Sequence, residues 1–170
     1  MRFAMTLAAK YQNNTTIFLP ELSTLAFDKG KRIPPRTLSG LAGVDKDMVF
    51  IPLNINGSHW TCLVADRSKE IIYCYDRFNK RAKQNLLAEL ADELSKKSLP
   101  RPYKVTPVHS PVQKDMNNCG LFILLFFWRR LDKEAGNDYI AQGLLRRRWN
   151  ILQTVVDFSD ECNDTNNTGK

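Results

Sequence analysis

The chain has 170 residues, 43% of them hydrophobic, enough for one globular domain whose core needs neither metal nor disulfide staples. Its four cysteines, Cys62, Cys74, Cys119 and Cys162, form no CxxC pair and its two histidines are too few for a zinc constellation, so no metal and no cofactor is expected. The formal charge of +7 favours acidic partners, but no basic run is interleaved with aromatics; Arg146-Arg147-Arg148 reads as a solvated helix face, and nucleic acid is not expected as a partner.

In chain order, Phe3, Leu7 and Ala8 recur at helical spacing within 2–11, and Asn13-Asn14 is the stop. Ile17 to Leu19 is a short apolar piece, Pro20-Glu21 can start a second helix through Phe27, and a helical turn fits around 38–41. Met48 to Leu53 reads as a buried strand, with Pro52 marking an edge or strand end. Two β-rich runs follow, 59–65 and 70–75, joined by the polar Asp66-Arg67-Ser68-Lys69, a hairpin signal. With Arg67-Ser68 as a two-residue loop, His59 falls opposite Asp76 and Cys62 opposite Tyr73, leaving Cys74 on the other face and unable to form a disulfide with Cys62. Residues 79–97 form an amphipathic helix with Leu86, Leu87, Leu90 and Leu94 on one side, Asn79 as N-cap, and Pro100 and Pro102 beyond its end. A strand is expected at 103–108, a buried helix at 119–131, and a last helix at 139–158 with Leu144, Leu145, Trp149, Leu152 and Val156 facing inward. Residues 159–170, rich in Asn, Asp and Thr, are expected to be a disordered tail after a single domain at 1–158. The longest apolar run, Leu121 to Trp128, is far too short to span a bilayer, and no signal-peptide pattern opens the chain. No membrane association is expected, and a reducing intracellular setting, nucleus or cytoplasm, is the default.

The chemistry gathers at Cys119-Gly120, where a polar segment gives way to the apolar helix. Taken alone, this dipeptide reads first as a small buried hydrophobe at the start of a core helix. A thiol at a helix start is, however, also placed where unpaired N–H groups and the positive dipole end favour thiolate. Gly120 keeps the approach to the sulfur open, and the Gln113 side-chain amide, six residues upstream, can donate to an oxyanion. A cysteine nucleophile needs a base and a group that orients it. His59 has Asp76 expected beside it; His109 lies in a proline-flanked loop without a carboxylate partner, so His59 is the favoured base.

Read together, Phe50-Ile-Pro-Leu-Asn54, His59-Trp60, Tyr75-Asp76, Gln113 and Cys119-Gly120 resemble the signature of the ubiquitin-like-protein proteases, the cysteine peptidases that process SUMO and related modifiers. The resemblance runs from the first helix to about Phe158, where Arg146-Arg147-Arg148-Trp149 is similar to the family's last basic stretch. It implies an α+β, papain-like or adenain-like fold with a small central mixed sheet, its strands near 48–53, 59–65, 70–75 and 103–108. It further implies that Cys119 is the nucleophile, His59 the base, Asp76 its orienter, Gln113 an oxyanion donor, and that Trp60, Asn118 and Gly120 adjoin the substrate. Trp60 would cover a channel for a Gly-Gly tail, which only glycines pass easily.

Two departures stand out. Asn118 replaces the aspartate that usually precedes the nucleophile, and the family's early Trp-Leu-Asn-Asp segment has no counterpart, so the chain either is truncated or reads its modifier differently. The implied activity is hydrolysis after the C-terminal Gly-Gly of a ubiquitin-like modifier, SUMO first, by a monomer whose partners are that modifier and its conjugates. Ubiquitin or another modifier is the alternative substrate, and a catalytically weak module that captures a modifier without cleaving it is the alternative class. Acetyltransferases of related fold rank third, since no acyl-CoA site is legible.

Overall fold

Strand-forming sequence and Gly/Asx turns build one five-stranded mixed sheet. The computed structural model describes residues 4, 6–7, 16–18, 33–55, 57–76, 81–108, 118–131 and 141–167, with the backbone alone described at 17–18, 130–131, 141–142 and 159–167. The expected helix at 20–27, Asn79, His109 and Gln113 lie outside these residues. The strands are β1 (Thr16–Phe18), β2 (Met48–Ile55), β3 (His59–Asp66), β4 (Ile71–Tyr75) and β5 (Lys104–Val108), in spatial order β1-β2-β3-β4-β5. β3 is antiparallel to both β2 and β4, and β1 and β5 join the two edges in parallel. The helices are α1 (Pro35–Ala42), α2 (Arg81–Ser98), α3 (Cys119–Leu131) and α4 (Ala141–Asn167). The fold is α+β, as expected, with β1 added to the four anticipated strands.

The chain divides into two compact units, Asn14–Ile123 and Met1–Asn13 with Leu124–Lys170. In the first, strand alternation sends Val49, Ile51 and Leu53 of β2, Leu63 and Ala65 of β3, and Ile72 and Cys74 of β4 to one face. Leu87, Leu90, Ala91 and Leu94 of α2 and Leu41 of α1 join them in one buried cluster. The i, i+3, i+4, i+7 spacing of Leu87, Leu90, Ala91 and Leu94 is what lets that helix cover the sheet with a single stripe. Buried Glu93 accepts from Lys97 Nζ at 2.7 Å and from the Ile33 N–H at 3.4 Å, and so ties the segment before α1 to α2. Among the described residues β1 pairs with Met48 to Phe50 and not with Pro52, which lacks the N–H such a pairing would use. Gly57 turns β2 into β3 with φ of 68°, a left-handed conformation that a side chain would strain.

The β3–β4 register differs from expectation by two residues. Cys62 stands opposite Tyr75 and Asp66 opposite Ile71, so the loop is the four residues 67–70. Arg-Ser has no preference for the left-handed geometry of a two-residue hairpin. The Asp66 carboxylate instead organises the longer loop, accepting from Ser68 Oγ at 2.7 Å, the Lys69 N–H at 3.1 Å and Lys69 Nζ at 3.0 Å, while Glu70 takes φ of 58°. Because the shift is even, every side chain keeps its face. Cys62 and Cys74 therefore still point to opposite faces, and both are free thiols.

The second unit holds most of α3 and all of α4. Residues 4, 6 and 7 are helical, and Leu7, Phe126, Phe127, Trp128 and Leu144 are buried. Of the five residues expected to face inward from the last helix, Leu144 alone does so; Leu145, Trp149, Leu152 and Val156 are exposed. The reason is that α4 carries two adjacent apolar stripes, this one and a second formed by buried Leu144 with half-buried Ile151, Val155 and Phe158, and periodicity cannot choose between them. α4 also runs on to Asn167, across the stretch expected as a tail. Extending an existing helix costs little once it is nucleated, and a composition too polar for a core does not forbid it.

The Asp66 loop fixes the register on which the site described next depends. Asp66→Ala, which removes three hydrogen bonds to a carboxylate, is expected to destabilise the fold by about 1–3 kcal/mol. Thermal melting against wild type checks this, and an unchanged midpoint would separate the register from the loop.

Candidate active site

β3 begins at His59 and β4 ends at Tyr75, so both strands deliver their side chains to the same end of the sheet. His59 and Asp76 share a face and sit diagonally across the two strands, within reach of each other. The result is a hydrogen bond of 2.8 Å between His59 Nε2 and Asp76 Oδ1, with both side chains buried. Thr61, a residue the sequence did not single out, donates its hydroxyl to the Tyr75 carbonyl. That bond fixes the chain at the step from β4 to Asp76. Its only trace in the sequence is a hydroxyl two residues after the histidine, on the same strand face.

A carboxylate accepts and cannot donate, so Asp76 requires the proton on His59 Nε2 and leaves Nδ1 as the basic nitrogen of the neutral ring. Cys119 lies close enough to the same imidazole for each group to shift the pKa of the other. The thiol stands at the first position of α3, where the Phe122 N–H bonds the Asn118 carbonyl at 3.1 Å and makes Asn118 the N-cap. No acidic residue occupies the first turn of α3, and Asn118 itself is neutral, so no carboxylate on this helix opposes a thiolate.

The electrostatics separate Cys119 from the other described thiols. Burial pushes Cys74 up to about 12 and raises Cys62 still further, which keeps both protonated. Cys119 is shifted the opposite way. The neighbouring His59 imidazole lowers it most; burial opposes, and the backbone N–H groups of Trp60 and Gly120 lower it further. Sequence reasoning assigned the effect to the helix end alone, whereas the imidazole is the larger influence. For His59, burial is the largest single influence and disfavours the imidazolium, as does the charge of Lys83 on α2. The bond to Asp76, the neighbouring Cys119 thiol and the Asp76 charge together outweigh both, and the pKa stands above the ordinary histidine value. A thiol lowered and an imidazole raised are the conditions for a thiolate–imidazolium pair near neutral pH.

Trp60 alternates to the face opposite His59 and is half-buried. Its Cδ1 lies 3.5 Å from where a Gly120 Cβ would stand, so the indole rests against the start of α3 beside the thiol. A cavity of about 220 Å³ reaches Asp76 and is lined by Cys74, Gln84, Asn85, Val105 and Val108 among others. The structure thus brings together His59, Asp76, Cys119, Trp60, Asn118 and Gly120; Gln113 falls outside the described residues.

A buried carboxylate, an imidazole and a helix-start thiol of lowered pKa, set at one end of a small mixed sheet, define a cysteine-peptidase type of centre. A model of the Ulp1 protease family, C-terminal catalytic domain, matches residues 15–131, more than half of the chain, and the chain belongs to that family. Among solved structures, the C-terminal Ulp1 protease domain in complex with Smt3, the yeast orthologue of SUMO, is similar with a TM-score of 0.64 and 18% identity, over 93% of this chain and 75% of that one. SUMO protease Ulp1 with its catalytic cysteine oxidised to a sulfenic acid gives a TM-score of 0.59 at 19% identity, covering 94% and 75%. The Xanthomonas campestris effector XopD bound to ubiquitin gives 0.62 at 22% identity, covering 92% and 86%. A sequence search of curated proteins found no match.

Iodoacetamide is expected to alkylate Cys119 on the acid side of the ordinary thiol range, while Cys62 and Cys74 stay unmodified in the folded protein. His59→Ala removes the largest cause of the lowered pKa, so the midpoint of the alkylation profile moves to higher pH and the rate at neutral pH falls. Rate against pH, with peptide mapping of the adduct, checks both. A profile unchanged in His59→Ala would detach the imidazole from the thiol.

Proposed function

We propose that this cysteine-protease domain hydrolyses the peptide or isopeptide bond after the C-terminal Gly-Gly of a ubiquitin-like modifier, with SUMO as its first substrate. The observation that carries the reading is a thiol whose pKa is lowered by a neighbouring imidazole that a buried carboxylate holds, beside an indole laid against Gly120. Cys119 is the nucleophile, His59 the base and Asp76 its orienter. The thiolate attacks the carbonyl carbon of the terminal glycine, and the π-electron pair moves onto the carbonyl oxygen. The Cys119 backbone N–H and, by the family resemblance, the Gln113 amide donate to that oxyanion. His59 Nδ1–H then protonates the leaving amine as the C–N bond breaks, which leaves a thioester. Neutral His59 next takes a proton from water, the hydroxide so formed adds to the thioester carbonyl, and collapse releases the carboxylate and the thiolate.

The half-exposed indole of Trp60 forms the roof under which an extended tail of two glycines passes, and Asn118 and Gly120 flank the thiol along that path. SUMO is favoured by the likeness to the Ulp1 domain in complex with Smt3. Ubiquitin is the second reading, because a similar structure, XopD, is bound to ubiquitin. A module that captures a modifier without cleaving it would have no use for the lowered thiol, so turnover is the better account.

Cleavage of SUMO and ubiquitin C-terminal fusions, measured together with thermal melting, tests the reading. The wild-type chain is expected to cleave the SUMO fusion faster. Trp60→Ala is expected to lower turnover sharply with little change in melting, because the tail is no longer held in line with the sulfur. If Trp60 were merely a core residue, the same change would cost about 3–5 kcal/mol of stability and leave turnover per folded molecule intact. Tight binding of a modifier with no cleavage of either fusion would replace the enzyme by the capture module.

A further inference from the structure

The exposed residues of α4 form a seam. Leu145, Trp149, Leu152 and Val156 are 70%, 59%, 53% and 48% exposed, the large exposed hydrophobics among the described residues. They follow one another at steps of four, three and four, the spacing at which apolar side chains line one edge of a helix that packs against another. Scattered apolar residues on a surface are ordinary; four in a row on one helix edge, one of them a tryptophan, are an interaction surface.

The pattern itself indicates what covers it. Steps of four, three and four read the same in both directions, so the seam is complementary to its own copy when the second helix runs antiparallel. About a two-fold axis near the helix midpoint, Trp149 meets Leu152 of the second copy and Leu145 meets its Val156, and each contact occurs twice, as an isologous interface requires. In that register the exposed Arg146 comes alongside the exposed Asp157 of the other copy. The parallel arrangement would instead put Arg146 of one copy and Asp157 of the other on opposite flanks of the seam, where no such pair forms. Charge and apolar spacing therefore select the same orientation.

We infer that α4 is the interface of an antiparallel homodimer, built on Leu145, Trp149, Leu152 and Val156 and oriented by the Arg146–Asp157 pairs. This departs from the monomer that the sequence resemblance implies. It is independent of the chemistry at Cys119, and cleavage activity and dimerisation can fail separately.

Sedimentation equilibrium of the full chain under reducing conditions, over a wide concentration range, reads the result. The mass is expected to rise with concentration to twice that of the monomer. Trp149→Glu and Leu152→Glu, both at exposed positions, are expected to hold the chain monomeric while leaving its circular dichroism unchanged. Arg146→Asp and Asp157→Arg are each expected to raise the dimer dissociation constant about tenfold, since the axis repeats every lost pair, and the double exchange is expected to restore it. A monomer at all concentrations would overturn the proposal, as would a dimer indifferent to Trp149→Glu or a double exchange no tighter than the singles. A chain that stays monomeric and sediments with anionic vesicles through the same residues would overturn it too, and would assign the seam to a lipid surface.

Discussion

The hydrogen bond between His59 Nε2 and Asp76 Oδ1 is the constraint on which the rest of the site depends. Both groups are buried, and an ionised carboxylate in that position is acceptable because an N–H answers it. The bond fixes which ring nitrogen carries the proton and so which one meets the thiol. It also raises the affinity of the ring for a second proton, and the Cys119 sulfur benefits in turn. Removing Asp76 would leave a buried ring free to choose its tautomer and orientation. The scaffold that holds the pair in place is local: Thr61 pins the carbonyl before Asp76, and the Asp66 loop fixes how β3 and β4 align.

One residue type serves opposite ends within this unit. Cys62 and Cys74 are buried, and burial is the main cause that drives the pKa of each upward and makes them inert core atoms. Cys119 is nearly as buried by solvent exposure, yet it has an imidazole and two backbone N–H groups directed at it and shifts downward. Reactivity is therefore set by what surrounds the sulfur and not by its exposure. The neutral Asn118 at the cap fits this pattern, because a carboxylate there would compete with the thiolate for the same positive end of the helix.

The legible parts of the sequence were those where one short-range pattern dominates. The leucine stripe of α2, the apolar run of β2 and the start of α3 at Cys119 each follow from spacing within a single segment. The hairpin was legible in kind and missed in register, because the loop is held by a side chain, Asp66, and its length cannot be read from backbone turn preferences. The pairing of His59 with Asp76 survived that error since a shift of two preserves the face. β1 was seen only as an apolar fragment: three residues carry no periodicity, and their strand identity comes from a parallel partner 32 residues away in sequence. On α4 two apolar stripes compete, and which of them is covered depends on tertiary neighbours that no local window contains. Thr61 escaped notice for a similar reason, as its role lies in a bond to a neighbouring strand.

Under the proposed function, the fold presents one reactive sulfur to the end of a modifier's tail. The most direct measurement is reaction of the chain with a SUMO whose C-terminal carboxylate is replaced by a thiol-reactive electrophile, followed by mass spectrometric mapping. The account predicts a single covalent adduct, on Cys119. An adduct distributed over Cys62, Cys74 and Cys162, or no adduct with SUMO or with the corresponding ubiquitin reagent, would contradict it.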